Sequence, residues 1–146
     1  MISPGELRFH RFVFAASAVY NVVWGTLVVL FPTKPFELAG MPPPNYPELW
    51  QCIGMFVLTY AIGYAYLAAD PLRYAPFAVI ALLGKILGPI GWAWAYSRGR
   101  IPAASGLTIL TNDLIWWVPY GMFVWKAVIR KDGPAVQQIS TSRPNP

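Results

Sequence analysis

The sequence predicts an all-α integral membrane protein: an up-down bundle of four helices, with a proline-rich loop between the first two. Three observations predict it. The hydrophobic fraction is 56% against 12% charged, whereas a soluble domain carries about 25% charged residues. Four runs of 20 to 23 residues hold at most one formal charge each, and a spanning helix needs about 20. Polar or proline-containing segments separate the runs. With 146 residues and a mean hydropathy of +0.45, a single domain follows. So short a chain could not hide this much apolar surface, so a lipid-facing exterior accounts for it.

The first run, 12–31, has no formal charge and follows Arg8, His10 and Arg11. A signal peptide would share that basic lead, and Ala16-Ser17-Ala18 resembles a cleavage site. The apolar run continues well past that point, so it reads as the first transmembrane helix. Pro32 ends it, because proline cannot continue the backbone hydrogen-bond ladder. Pro35, Pro42, Pro43, Pro44 and Pro47 exclude a long helix in the next segment. Residues 34–39 suit a single interfacial turn, and 40–47 an ordered or extended loop that could lie as a lid over one mouth of the bundle. The second run is 49–69, broken by Asp70-Pro71. The third is 74–96, with Lys85 its sole charge, and a polar turn over 97–102 follows. The fourth is 103–125, with Asp113 its sole charge. The membrane domain therefore covers 1–131, and the polar composition of 132–146 predicts a disordered tail.

Net charge is +5. In a soluble protein this would raise nucleic acid as a partner. Here the basic residues sit at the ends of apolar runs, which points to topology signals and anionic lipid head groups instead. Four spans place Arg8, Arg11, Arg73, Lys126, Arg130, Lys131 and Arg143 on one side, and Lys34, Arg98 and Arg100 on the other. The positive-inside rule then puts both termini in the cytoplasm, in a plasma or inner membrane. Of the tryptophans, Trp50, Trp94 and Trp125 fit interfacial depth, while Trp24, Trp116 and Trp117 lie deeper. Cys52 is the only cysteine, which excludes an intrachain disulfide and reads as a small packing residue. His10 is single and near the interface, which argues against haem ligation or catalysis by it. Neither a metal site nor a phosphate or dinucleotide motif is present, and no cofactor is expected.

The chemistry concentrates at mid-depth. Lys85 lies 11 residues past Tyr74 and Asp113 lies 11 past Pro102, each ~16 Å at ~1.5 Å per residue. Half the hydrocarbon thickness is ~15 Å, so antiparallel helices bring both charges to one plane. Asn21 and Tyr60 reach it too. A lone Lys or Asp at a helix centre costs about 2.5–3.5 kcal/mol, so the two are expected to pair inside the bundle. Ser17, Asn21, Trp24 and Val28 form a stripe on the first helix. Gly84 and Gly88 form a small-xxx-small pair on the third. Pro89 frees the carbonyl four residues back, that of Lys85, leaving an acceptor with room for water or a ligand.

These residues define a candidate site. Lys85 and Asp113 are the acid–base pair, and Asn21, Trp24, Tyr60, Tyr64, Asn112, Trp116, Trp117 and Tyr120 are the ligand-binding set. The cavity itself is expected to be lined by Asn21, Tyr60, Lys85, Asn112, Asp113 and Trp117. A polar spot with aromatic walls suits a lipophilic small molecule such as an isoprenoid, quinone, sterol-like compound or lipid tail. A desolvated lysine beside a carboxylate suits proton-transfer chemistry such as isomerisation. Two other readings use the same residues: a non-catalytic accessory subunit of a larger membrane complex, or proton-coupled transport by a homo-oligomer. In length and span count the chain is similar to small four-helix membrane groups, among them the DoxX-like proteins and the sterol-isomerase and sigma-2-receptor type. No motif of theirs is matched, and no site residue is carried over from them.

Overall fold

The structure is a computed structural model and describes residues 2–130. The tail 132–146, and Lys131 and Arg143 of the charge argument, lie outside the described residues. Among those residues all regular structure is helical. Three helices are long and apolar enough to cross a membrane: α1 (Pro4–Leu30), α3 (Pro47–Ala69) and α4 (Ala75–Ser97). The short α2 (Lys34–Leu38) fills the proline-rich connection, where one turn was expected. Lys34 Nζ donates to Glu37 Oε2 at 2.6 Å and holds that exposed carboxyl below the usual range.

α1 begins eight residues ahead of the charge-free run, and the cause is local. Ser3-Pro4-Gly5-Glu6 forms a capping box. The Glu6 N–H donates to Ser3 Oγ at 3.2 Å and the Ser3 N–H donates to Glu6 Oε2 at 2.8 Å. Pro4 sits at the first helical position, where its missing N–H costs nothing. Arg8, His10 and Arg11 are therefore helical rather than part of a polar lead. At the other end α1 stops just before Pro32, as its chemistry requires.

The fourth apolar run differs from the regular helix expected over 103–125. It is helical throughout 103–129, but its hydrogen-bond register changes four times. A 3-10 turn (Ala103–Ser105) leads into α5 (Gly106–Ile109) and then a π turn (Leu110–Leu114). α6 (Ile115–Val124) follows, and a second π turn (Trp125–Ile129) ends it. Pro119 inside α6 has no N–H to give the ladder, and the wider π turn absorbs such a mismatch without breaking the helix.

α1 and α3 run antiparallel and make the closest pairing in the molecule. Arg11 Nε donates to Ala68 O at 2.9 Å, Asn21 Nδ2 to Val57 O at 3.3 Å, and Gln51 Nε2 to Val29 O at 2.8 Å. Between these ties Gly25 meets Gly54. A Cβ on Gly25 would lie 2.8 Å from the Gly54 carbonyl oxygen, and one on Gly54 would lie 3.0 Å from the Gly25 oxygen. α4 packs along the fourth segment, where Trp92 covers Gly106 and donates to Ser105 Oγ at 2.9 Å.

The core lies toward one end. Phe14, Tyr64, Leu67, Tyr120 and Phe123 are its large side chains, each almost wholly buried. Phe14 and Phe123 meet edge-on at 5.0 Å between ring centres, and Phe14 and Tyr120 tilt together at 5.3 Å. His10 belongs to this core. It is 1% exposed and lies against Phe9 and Phe123, not at a free interface as its sequence position suggested. A Lys126–Glu6 ion pair ties the end of the fourth segment to the first turn of α1. Cys52, read as a packing residue, is exposed instead. Large apolar side chains such as Phe12, Phe56, Leu87, Val118 and Ile129 cover the outside.

The Gly25–Gly54 seam sets the α1–α3 distance, so it should tolerate no side chain. Gly25→Val should destabilise the protein by about 1–3 kcal/mol through overpacking. Gly91→Ala, where an added Cβ meets nothing within 4 Å, should be neutral or better. Unfolding titrations of both variants in mixed detergent micelles measure the difference.

Candidate functional site

Lys85 comes from the middle of α4, and Asp113 and Asn112 from the π turn opposite. Lys85 and Asp113 face inward because the alternative is charge in a non-polar surround, and Asn112 lies beside them. Lys85 is 7% exposed and Asp113 is 4% exposed. The lysine ammonium lies 3.8 Å from Asp113 Oδ1, an ion-pair separation longer than a hydrogen bond. Its hydrogen bond goes instead to the backbone carbonyl of Asn112. The Asn112 side chain turns back to donate to Asp113 Oδ1 at 3.3 Å. The π turn thus presents both a carbonyl and a carboxylate to one ammonium, which a regular helix does less readily.

Two devices on α4 prepare the other half. Pro89 lies inside the helix, so the carbonyl of Lys85 loses its backbone donor. Trp117 fills that position: its Nε1–H donates to Lys85 O at 2.8 Å. The acceptor expected to be open for water or a ligand is thus taken by the protein itself. Gly88 makes room for the aspartate, since a Cβ there would sit 2.8 Å from Asp113 Oδ2. Gly84, its expected partner in a helix-contact pair, meets nothing within 4 Å and borders open space.

That space is a cavity of about 180 Å³ between α1, α3, α4 and the π turn. Asn21, Tyr60, Tyr64, Lys85, Asn112 and Asp113 line it together with Val57, Ala81, Gly84, Ile53 and Phe56. The remaining candidate residues go elsewhere. Trp117 stands behind Lys85 at its carbonyl. Tyr120 is fully buried in the aromatic core against Phe14, Tyr64 and Trp116. Trp116 packs between Tyr120 and Tyr20. Trp24 lines a separate, mostly apolar chamber of about 480 Å³ under α2, with Leu27, Phe31, Leu38, Leu107 and Thr108. The α2 segment therefore roofs that chamber, not the charged cavity. Residues absent from the sequence-based set also border the site: Val57, whose carbonyl positions Asn21, and Ile53, Phe56 and Gly84 at its edge. Position on the Tyr60 face of α3 was the available signal for the first three.

These features define a class of protein: all-helical, with three helices long and apolar enough to cross a membrane, and a buried Lys–Asp pair beside a small polar cavity. No family model, curated protein or solved structure matches the chain.

Because Trp117 satisfies an acceptor that Pro89 orphans, the two positions should be coupled. Trp117→Phe should cost about 1–3 kcal/mol, the range for an unsatisfied buried polar group. In a Pro89→Ala background the backbone N–H of residue 89 can reach the Lys85 carbonyl, and the same change should cost less. A double-mutant cycle by detergent unfolding should give a coupling of about 0.5–3 kcal/mol.

Proposed function

We propose that the chain is a four-pass up-down membrane bundle whose mid-depth cavity binds the polar end of a lipophilic small molecule at Lys85 and Asp113. The observation that carries this reading is two opposite charges, both nearly dry, on the wall of a cavity that Asn21, Tyr60 and Tyr64 also line. Buried ion pairs are poor stabilisers compared with apolar packing, and intramembrane ionisable groups more often serve a site. Three antiparallel pairings support the bundle: α1 with α3, α4 with the fourth segment, and α1 with the fourth segment through Glu6–Lys126 and Tyr20–Thr111. The helical length over 103–129 exceeds the about 20 residues a span needs. Arg8 and Arg11 near the start of α1, with Lys126 and Arg130 at the second π turn, support cytoplasmic termini in a plasma or inner membrane.

The chemistry such a pair performs is proton transfer. A proton passing from the Lys85 ammonium to the Asp113 carboxylate leaves an amine and a carboxylic acid, and both forms are uncharged. The carboxylic acid can then protonate a bound ligand and the amine can deprotonate it, which is what an isomerisation requires. A role as accessory subunit would use the same pair only to fix how the helices meet.

Exchange of Lys85 for Met, or of Asp113 for Asn, separates these roles. Each single change should abolish retention of a co-purifying lipophile measured by native mass spectrometry. Each should also destabilise by roughly 3–5 kcal/mol, as for any broken buried pair. The double variant Lys85→Met with Asp113→Leu should recover stability but not ligand retention. Full recovery of both would sink the binding role and leave a structural one.

A further inference from the structure

Resting on that reading, we infer that the cavity admits only the neutral, oxygen-bearing head of its ligand, one ring in size or smaller, while the hydrocarbon tail leaves sideways between α3 and α4. The volume decides the first part. A whole drug-sized ligand needs about 300–1,000 Å³, and the cavity offers about 180 Å³. A sterol nucleus or a folded chain is too large.

The walls decide the exit. Toward the Glu6–Lys126 end, Tyr64, Tyr120, Phe14 and Phe123 close the interior. On the α1–α3 side, the Gly25–Gly54 contact and the Asn21–Val57 hydrogen bond hold the helices together, and the apolar groove outside them, between Val22 and Ile62, shares no lining residue with the cavity. Between α4 and the π turn, Lys85–Asn112, Trp117–Lys85 and Asp113 against Gly88 form a continuous seam. The chamber under α2 shares no lining residue with the cavity. Between α1 and the fourth segment, Tyr20 donates to Thr111 and packs against Trp116, so the α3–α4 side is the one left. There the rim is Ile53 and Phe56, 46% and 68% exposed, and Gly84, whose absent side chain leaves open space. Phe77, seated on Gly63 against Tyr60 and Tyr64, bounds this slot on its terminal side.

Charge decides the head. Lys85 and Asp113 balance each other, so a phosphate would meet the carboxylate and a quaternary amine would meet the ammonium, each out of water. A neutral head faces neither penalty. The Lys85 ammonium has three donors. One goes to Asn112, and Asp113 Oδ1 stands at 3.8 Å, an ion-pair separation, which leaves N–H donors for a ligand oxygen. Asn21 uses its amide N–H on Val57, so its side-chain oxygen can accept from a hydroxyl on the opposite edge. A prenylated quinol presents both.

The test uses the full chain in phosphatidylcholine nanodiscs and two probes: a prenyl-tailed benzoquinol with a diazirine at the tail tip, and the same quinol without a tail. Native mass spectrometry should show both retained by the wild type. Ile80→Trp, and independently Leu87→Trp, exposed positions one turn to either side of Gly84 on α4 and outside the cavity lining, should weaken the tailed probe by about tenfold or more, a change worth ~1.4 kcal/mol, and leave the tail-less probe within about twofold. Diazirine adducts should fall on α3 and α4 peptides. Adducts on α2 or α5, or undiminished tailed binding in both variants, would overturn the sideways exit while leaving the site intact. Competition by phosphatidylglycerol equal to that by the quinol, or no retention of either probe by the wild type, would overturn the neutral head. Lys85→Met without effect on either probe would instead remove the site itself.

Discussion

An ammonium held away from water is the constraint on which the rest of this molecule turns. Removed from solvent, Lys85 must find acceptors within its own reach, and a regular antiparallel helix has none to spare, since each backbone carbonyl is already bonded. The π turn over Leu110–Leu114 answers this by presenting the Asn112 carbonyl and the Asp113 carboxylate together. Gly88 lets the carboxylate come close, and Trp117 satisfies the carbonyl that Pro89 exposes on the lysine itself. The π turn, Pro89, Gly88 and Trp117 are thus one arrangement, and together they leave one charge pair with its partners.

The same constraint explains the lopsided packing. At the end where α1 begins and the fourth segment finishes, aromatic rings fill the interior and even His10 is enclosed. Toward α2 the interior is looser, with the chamber around Trp24. The charged cavity lies between these regions. A tight end holds the helices in register, and the looser half leaves volume beside the pair. Interior space costs stability through lost dispersion contacts, so space next to a polar group is the more informative kind.

Gly25 and Gly54 have a matching role. Their backbone contact draws α1 against α3 and fixes Asn21 on the Val57 carbonyl. α3 and α4 lack such a seam around Gly84, and the cavity reaches the outside there. One glycine pair closes a helix interface, and one unpaired glycine keeps another open. The residue type is the same, and the neighbour decides its effect.

Much of the molecule was legible along the chain. Long runs without charge mark helices that must meet an apolar surround, and prolines 32 to 47 rule out helix continuity, because both follow from the chemistry of single residues. The inward pairing of Lys85 with Asp113 was legible for the same reason: only one placement avoids two solitary charges. Ser3 and Glu6 form a capping box that starts α1 ahead of the charge-free run, a local signal that reading the first residues as a polar lead passed over. The aromatic residues were different. Helical spacing puts Trp24, Trp116, Trp117 and Tyr120 on inward-facing positions, yet one lines a separate chamber, two pack in or beside the core and one caps a carbonyl. Spacing gives a direction around one helix axis. What occupies that direction depends on the neighbouring helix, its distance and its register, and the π turn that sets this register leaves no periodic mark. The sequence by itself determined which residues must be buried; the tertiary structure alone decided what they are buried against, because contacts between helices are set by packing distances that no single helix contains.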